Sequence, residues 1–165
     1  MSGEVRKQQI KQRLGHQREM LLAFLADLDA ADWHTAVFPD DEEIDPPWTV
    51  ADLVRHLADA EQSMTRLMQL IRDGGEGVPA DFDLNRWNNS RLAKNRHKSL
   101  AAALAEMETN RAALFAFIDS LSEADLEKAG RHGRGTIMTI DQICILIAGH
   151  DKLHLADIKR VIGET

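Results

Sequence analysis

The run His150-Asp151-Lys152-Leu153-His154 sets two imidazoles four residues apart. On a helix, such residues stack on one face with Cβ atoms about 6 Å apart. Both rings then reach one cation at about 2.0–2.1 Å, the reason this spacing recurs in zinc sites. Spacing alone is a weak signal, because 7 His in 165 residues give roughly 0.25 such pairs by chance. Position adds weight. Ile143, Ile147, His150, His154, Ile158 and Val161 form one continuous stripe at three- and four-residue steps, so the pair falls on the face a bundle buries. A buried imidazole needs a partner. The pair therefore reads either as a hydrogen-bonded structural pair or as part of a metal or catalytic site.

His56 offers a third imidazole, bordering the apolar face of another helical segment. It lies seven residues into that segment, roughly 10 Å from its start. His154 and His150 lie roughly 12 and 18 Å from the end of theirs. Antiparallel packing of the two segments brings all three to similar depth, whereas parallel packing separates them by about 9 Å.

Four segments must position these groups. The first spans roughly Glu4 to Leu28, with Ile10, Leu14, Leu21, Phe24 and Leu28 on its stripe. The second starts at Thr49, where Thr49 to Asp52 reads as a capping box. It carries Val50, Leu53, Leu57, Met64, Leu67 and Ile71, and ends near Gly74-Gly75. The third runs from about Trp87 to Ser120 with Ala93, Leu100, Leu104, Met107, Leu114 and Ile118. The fourth starts at a second capping box, Thr139 to Gln142, and stops at Gly163. A short extra helix, Ser122 to about Lys128, precedes it. These periodicities predict an all-α four-helix bundle with long connections, one domain over residues 1–165. No strand-like alternation or internal repeat is visible. Antiparallel packing of the second and fourth helices requires the second and third to run the same way. The 14-residue Asp73–Arg86 connection reaches about 45 Å extended, enough to return along the bundle.

Composition narrows the function classes. Net charge is -7, which disfavours a phosphate-backbone partner and so nucleic acid. The longest apolar stretch, Ile143 to Gly149, has seven residues, far short of the about 20 a membrane span needs. The polar start lacks the apolar run of an export signal. A single Cys fits a reducing, cytoplasmic setting.

Pro47-Trp48-Thr49-Val50 leading to Leu53-Val54-Arg55-His56-Leu57, then Arg86-Trp87-Asn88, then Ala148-Gly149-His150 with Leu153-His154-Leu155 resembles the DinB-like family of four-helix-bundle metalloproteins. Leu121 to Leu126 and the Gly133-Arg134-Gly135 turn add to the likeness, which spans about Ile10 to Ile162. The resemblance implies an up-down-down-up bundle and a divalent metal on three His, mapping here to His56, His150 and His154. It implies a metal-dependent hydrolase or a low-molecular-weight-thiol S-transferase acting on a small molecule, and frequent homodimers. A non-catalytic metal- or ligand-binding dimer in stress response is the alternative. Zn or Ni suits imidazole ligands, and Mn or Fe is compatible.

Asp59, Glu61 and Asp151 are candidate general bases, and Asp157 is placed to orient His154. Helical position alone reads each more readily as a solvated surface charge. His97 is expected in the core, and His16, His34 and His132 on the surface or in loops. Cys144 is expected to be a buried, inert thiol. Trp48 and Trp87 read as packing anchors, with Trp87 alternatively lining a substrate cavity. Arg131 and Arg134 read as a solvated turn, or as binders of a substrate carboxylate.

Overall fold

In the computed structural model, which describes residues 1–44 and 46–163, four long helices form the bundle: α1 Gly3–Ala26, α2 Val50–Arg72, α4 Leu100–Ser120 and α6 Ile140–Ile162. Two short helices, α3 Leu84–Asn95 and α5 Glu123–Leu126, and a hairpin of β1 Ala129–Arg131 with β2 Ile137–Thr139 complete it. Both predicted capping boxes are present. Thr49 accepts from the Asp52 N–H and Thr139 from the Gln142 N–H, each with the reciprocal bond back. These caps satisfy donors that a helix start otherwise leaves bare.

Side-chain contacts give the helix directions. Arg6 reaches Asp141 and Arg18 reaches Asp151, so α1 and α6 run parallel. Met68 meets Cys144 while His56 meets His150, so α2 and α6 run antiparallel. Asn110 bonds the Ala58 carbonyl and the Arg72 guanidinium lies over Phe117, so α2 and α4 run parallel. The bundle is up-down-down-up, as the resemblance implied. No helix among the described residues is long and apolar enough to cross a membrane.

The parallel α2–α4 pair needs a crossover, and here the expected single third helix is two. The break lies at residues 96–99. Ser99 is extended and its hydroxyl accepts from the Ala102 N–H, starting α4 afresh. The Lys98 carbonyl accepts from Arg55 Nε at 2.9 Å, a partner on another helix. The return path is thus the loop after α2 plus α3, which is held on α2 by Leu92 and by the Arg91–Asp59 pair.

The hairpin is a second departure from the all-helix expectation. Its strands are three residues each and register Ala129 with Thr139 and Arg131 with Ile137. The loop after α2 docks on it through Arg131 N–H to Glu76 O and Val78 N–H to Arg131 O, at 2.8 and 2.9 Å. Gly77 makes this possible: its φ is +94° and a Cβ there would lie 2.3 Å from the Arg131 backbone.

The core has two apolar halves. One gathers Leu14, Met64, Met68, Leu114, Ile143 and Ile147; the other gathers Leu21, Leu53, Leu57, Met107, Leu155 and Ile158. Between them lies a charged layer with one residue from each long helix: Arg18, Glu61, Arg111 and Asp151, all buried. Arg18 Nε donates to Asp151 at 2.9 Å, Arg111 Nε to Glu61 at 2.7 Å and Arg111 Nη2 to Asp151 at 3.0 Å. Arg18 also pairs with Glu61, and the two arginines bond the Met107 and Leu14 carbonyls. The layer is neutral in sum, and every charge in it is paired.

Candidate metal centre

Antiparallel α2 and α6 bring the three imidazoles to one point in the lining of a cavity. His150 Nε2 lies 3.2 Å from His56 Nε2 and 2.9 Å from His154 Nε2. A cation about 2.05 Å from each nitrogen sets them about 3.3 Å apart at tetrahedral angles and about 2.9 Å apart at right angles. The observed spacings match that range.

The donor chemistry agrees. His154 Nδ1 faces Asp157 Oδ2 at 2.9 Å, which places its proton there and leaves the Nε2 lone pair bare. His150 Nε2 touches both other nitrogens and carries at most one proton. Three converging imidazoles therefore cannot all satisfy one another by hydrogen bonds, whereas one cation satisfies all three. The residues fit a divalent metal, and three imidazole ligands would leave coordination positions open.

Burial reinforces this. His56 is pushed down to about 3, first by burial and then by the neighbouring His154, with Asp59 opposing. His150 is driven well below its ordinary 6.5 by burial first, then by His154, His56 and the Arg134 charge. Both groups stay neutral and ready to ligate. A His whose folded pKa is depressed contributes stability that is complete above the unfolded value and lost as pH falls below it. Metal-free protein is expected to lose stability as pH drops from about 7 to 5, by up to about 1.4 kcal/mol per pH unit for each such His. Urea unfolding midpoints over that window read it. A flat profile there, with loss only in the carboxylate range, contradicts the burial argument.

Asp157 is not the solvated surface charge that helical position favoured; it sits behind the His154 ring. It accepts from His154 and pairs with Arg160 Nη1 at 3.0 Å, and these hold its carboxyl below the usual range, the His154 bond contributing most. Replacing it by Asn removes the charge behind the ring. Zinc affinity is expected to fall about 10- to 100-fold, read by competition with a chromophoric chelator; a change within about twofold refutes an orienting role.

Other sequence expectations need correction. Glu61 and Asp151 are neither solvated nor free bases; they are sealed in the charged layer. Asp59 is tied to Arg91. His97 is exposed rather than in the core, because it falls in the α3–α4 break. His132 is buried rather than superficial and lines the cavity. Burial first, and then the Arg134 charge, lower its pKa. Trp48 is an anchor, buried with its ring 5.0 Å from that of His56. Trp87 is partly exposed and lines the cavity. Of the two turn arginines, Arg134 borders the cavity. Cys144 is sealed and its thiol is pushed up to about 12, chiefly by burial, so it is inert as expected.

The cavity has a volume of about 420 Å³ and mostly apolar walls, with Phe82, Trp87, Met64, Leu67, Leu146 and Leu153 in its lining beside the imidazoles. The model of the DinB superfamily matches residues 13–158. No curated protein matches the sequence significantly. Solved structures do. YfiT from Bacillus subtilis, a probable metal-dependent hydrolase with an unusual four-helix bundle topology, superposes with a TM-score of 0.73 at 20% identity, covering 96% of this chain and 89% of that one. The mycothiol-dependent maleylpyruvate isomerase gives 0.72 at 16% identity, covering 96% of this chain but 61% of that one. TT2238, a four-helix bundle protein, gives 0.65 at 21% identity over 93% and 98%. At these identities the likeness establishes the fold.

Proposed function

The chain belongs to the DinB superfamily, and on that premise we propose that it is a metal-dependent enzyme acting on a small molecule, with His56, His150 and His154 as the metal ligands. The observation that carries this reading is the convergence of three Nε2 atoms through 2.9 and 3.2 Å contacts in the lining of a cavity. Zn or Ni suits such ligands, with Mn or Fe compatible. When bound, the cation supplies a Lewis acid that favours the deprotonated form of a nucleophile.

Of hydrolysis and thiol transfer, the cavity favours thiol transfer. The cation would help form either nucleophile, but hydrolysis also asks for a positioned acid or base to carry a proton to the leaving group. The carboxylates nearest the site are all engaged: Asp59 by Arg91, Asp157 by His154 and Arg160, and Glu61 and Asp151 in the charged layer. A low-molecular-weight thiol, ionising near pH 8.5, needs less help. The thiol dependence of one structural relative points the same way. The walls are mostly apolar, and Asp157 keeps the His154 lone pair aimed at the site.

Metal analysis of the native protein, followed by a substrate screen with and without thiols, tests the reading. We expect about one divalent metal per chain, turnover only in the presence of a thiol, and loss of both metal and turnover in His56→Ala. Protein that binds no metal, or that turns over unchanged in His56→Ala, overturns it. Turnover that ignores thiol returns the assignment to a hydrolase.

A further inference from the structure

We infer that the His132–Arg134 turn is a carboxylate-binding subsite, and that the substrate is a small carboxylic acid with an apolar body. The inference rests on the reading of this cavity as the substrate site.

The turn is built rather than loose. His132 N–H donates to Thr136 O at 2.9 Å and Gly135 N–H to His132 O at 2.8 Å, with Gly135 at φ +87°. Gly133 packs against the start of α3 and the loop before it, where a Cβ would sit 3.1 Å from Leu84 Cδ1 and 3.3 Å from Phe82 Cε1. The side chains on either side of it, His132 and Arg134, both border the cavity.

Each offers an unused donor. His132 Nδ1 accepts the Arg134 N–H at 3.2 Å, so the neutral ring carries its proton on Nε2. That Nε2 has no protein partner among the described residues. It is not sealed either, since the sealed unpartnered side-chain polar atom there is Arg96 Nε. It is therefore accessible, on a residue that lines the cavity. The Arg134 guanidinium makes no hydrogen bond or ion pair among the described residues, although its charge is felt at His150.

Charge balance gives the sign of the ligand. The neighbouring carboxylates are spent on Arg91, His154 and Arg160. Arg134, an exposed residue bordering the cavity, has no counter-charge among the described residues, in a chain of net charge -7. A guanidinium fork with a nearby N–H matches a planar carboxylate. The rest of the lining, including Trp87, Phe82 and Leu153, is apolar and takes the ligand's hydrocarbon part.

The test titrates 3-phenylpropanoate and its neutral isostere 3-phenylpropanamide, by calorimetry, into the protein as isolated and after metal removal with a chelator. The acid is expected to bind at least about tenfold more tightly than the amide in both forms. Arg134→Gln is expected to erase that preference while leaving amide affinity and metal content unchanged. His132→Phe is expected to weaken the acid about three- to tenfold. Equal affinity for acid and amide, no saturable binding of the acid, or a preference that survives Arg134→Gln overturns the subsite. A preference that vanishes with the metal overturns it too, by assigning the carboxylate to the cation. Failure of the protein to bind metal strikes the proposed function instead, because the acid–amide ratio in metal-free protein is still readable.

Discussion

His150→Ala is expected to abolish stoichiometric zinc binding. His150 Nε2 is the shared vertex of the cluster, 2.9 Å from His154 and 3.2 Å from His56. Without it, one ligand remains on α2 and one on α6. Structural zinc sites with four ligands bind with about 10–16 kcal/mol, or about 3–4 kcal/mol per ligand. Removing one ligand therefore costs about two to three orders of magnitude in affinity. The loss has a thermodynamic echo. A ligand at 1,000 times its Kd stabilises the folded state by about 4 kcal/mol, so zinc should raise the Tm of the parent protein and leave that of His150→Ala nearly unchanged. Equal shifts in both proteins would falsify the three-His site.

The fold and the trio were legible because their signals are local. Thr49 and Thr139 announce helix starts through capping boxes, and the stripes of α2 and α6 run where the periodicity places them. The His depths only required counting residues from helix ends. What escaped depends on distant partners. The α3–α4 break needs Arg55 to take the Lys98 carbonyl, and nothing within residues 87–120 announces that contact. The hairpin strands are too short to alternate, and they pair because the loop carrying Gly77 docks beside them. His132 is buried by the same docking, with Phe82 and Leu84 closing over its turn. The charged layer did leave a trace. The stripes jump seven residues from Leu14 to Leu21, from Leu57 to Met64 and from Met107 to Leu114. The fourth residue into each gap is Arg18, Glu61 or Arg111. Seen one helix at a time, each gap looks like a solvated charge. Seen together with Asp151, they sum to zero, which is how buried charges are tolerated.

That layer makes Glu61→Gln the most destabilising conservative change expected in the protein. Glu61 receives Arg111 Nε at 2.7 Å and also pairs with Arg18, with its side chain 2% exposed. Glutamine keeps the shape but leaves two guanidinium groups facing one carboxylate, a net positive charge that water cannot reach. Breaking one partner of a buried ion network costs about 3–5 kcal/mol, a large share of the about 5–15 kcal/mol that holds a domain together. Removing a surface pair such as Lys11–Asp119, with Asp119 59% exposed, should cost less than about 1 kcal/mol. Urea unfolding of both variants at constant pH separates the cases. The double variant Glu61→Leu with Arg111→Met removes a neutral pair, and it should recover much of what either single change loses. A Glu61→Gln loss below about 1 kcal/mol means that water reaches the layer. The layer also bears on the site. Asp151 adjoins His150 in sequence and Glu61 lies on α2 with His56, so the ion pairs that lock the helices in register also hold the imidazoles at one depth. Loosening them should lower zinc affinity at temperatures where the variant is still folded.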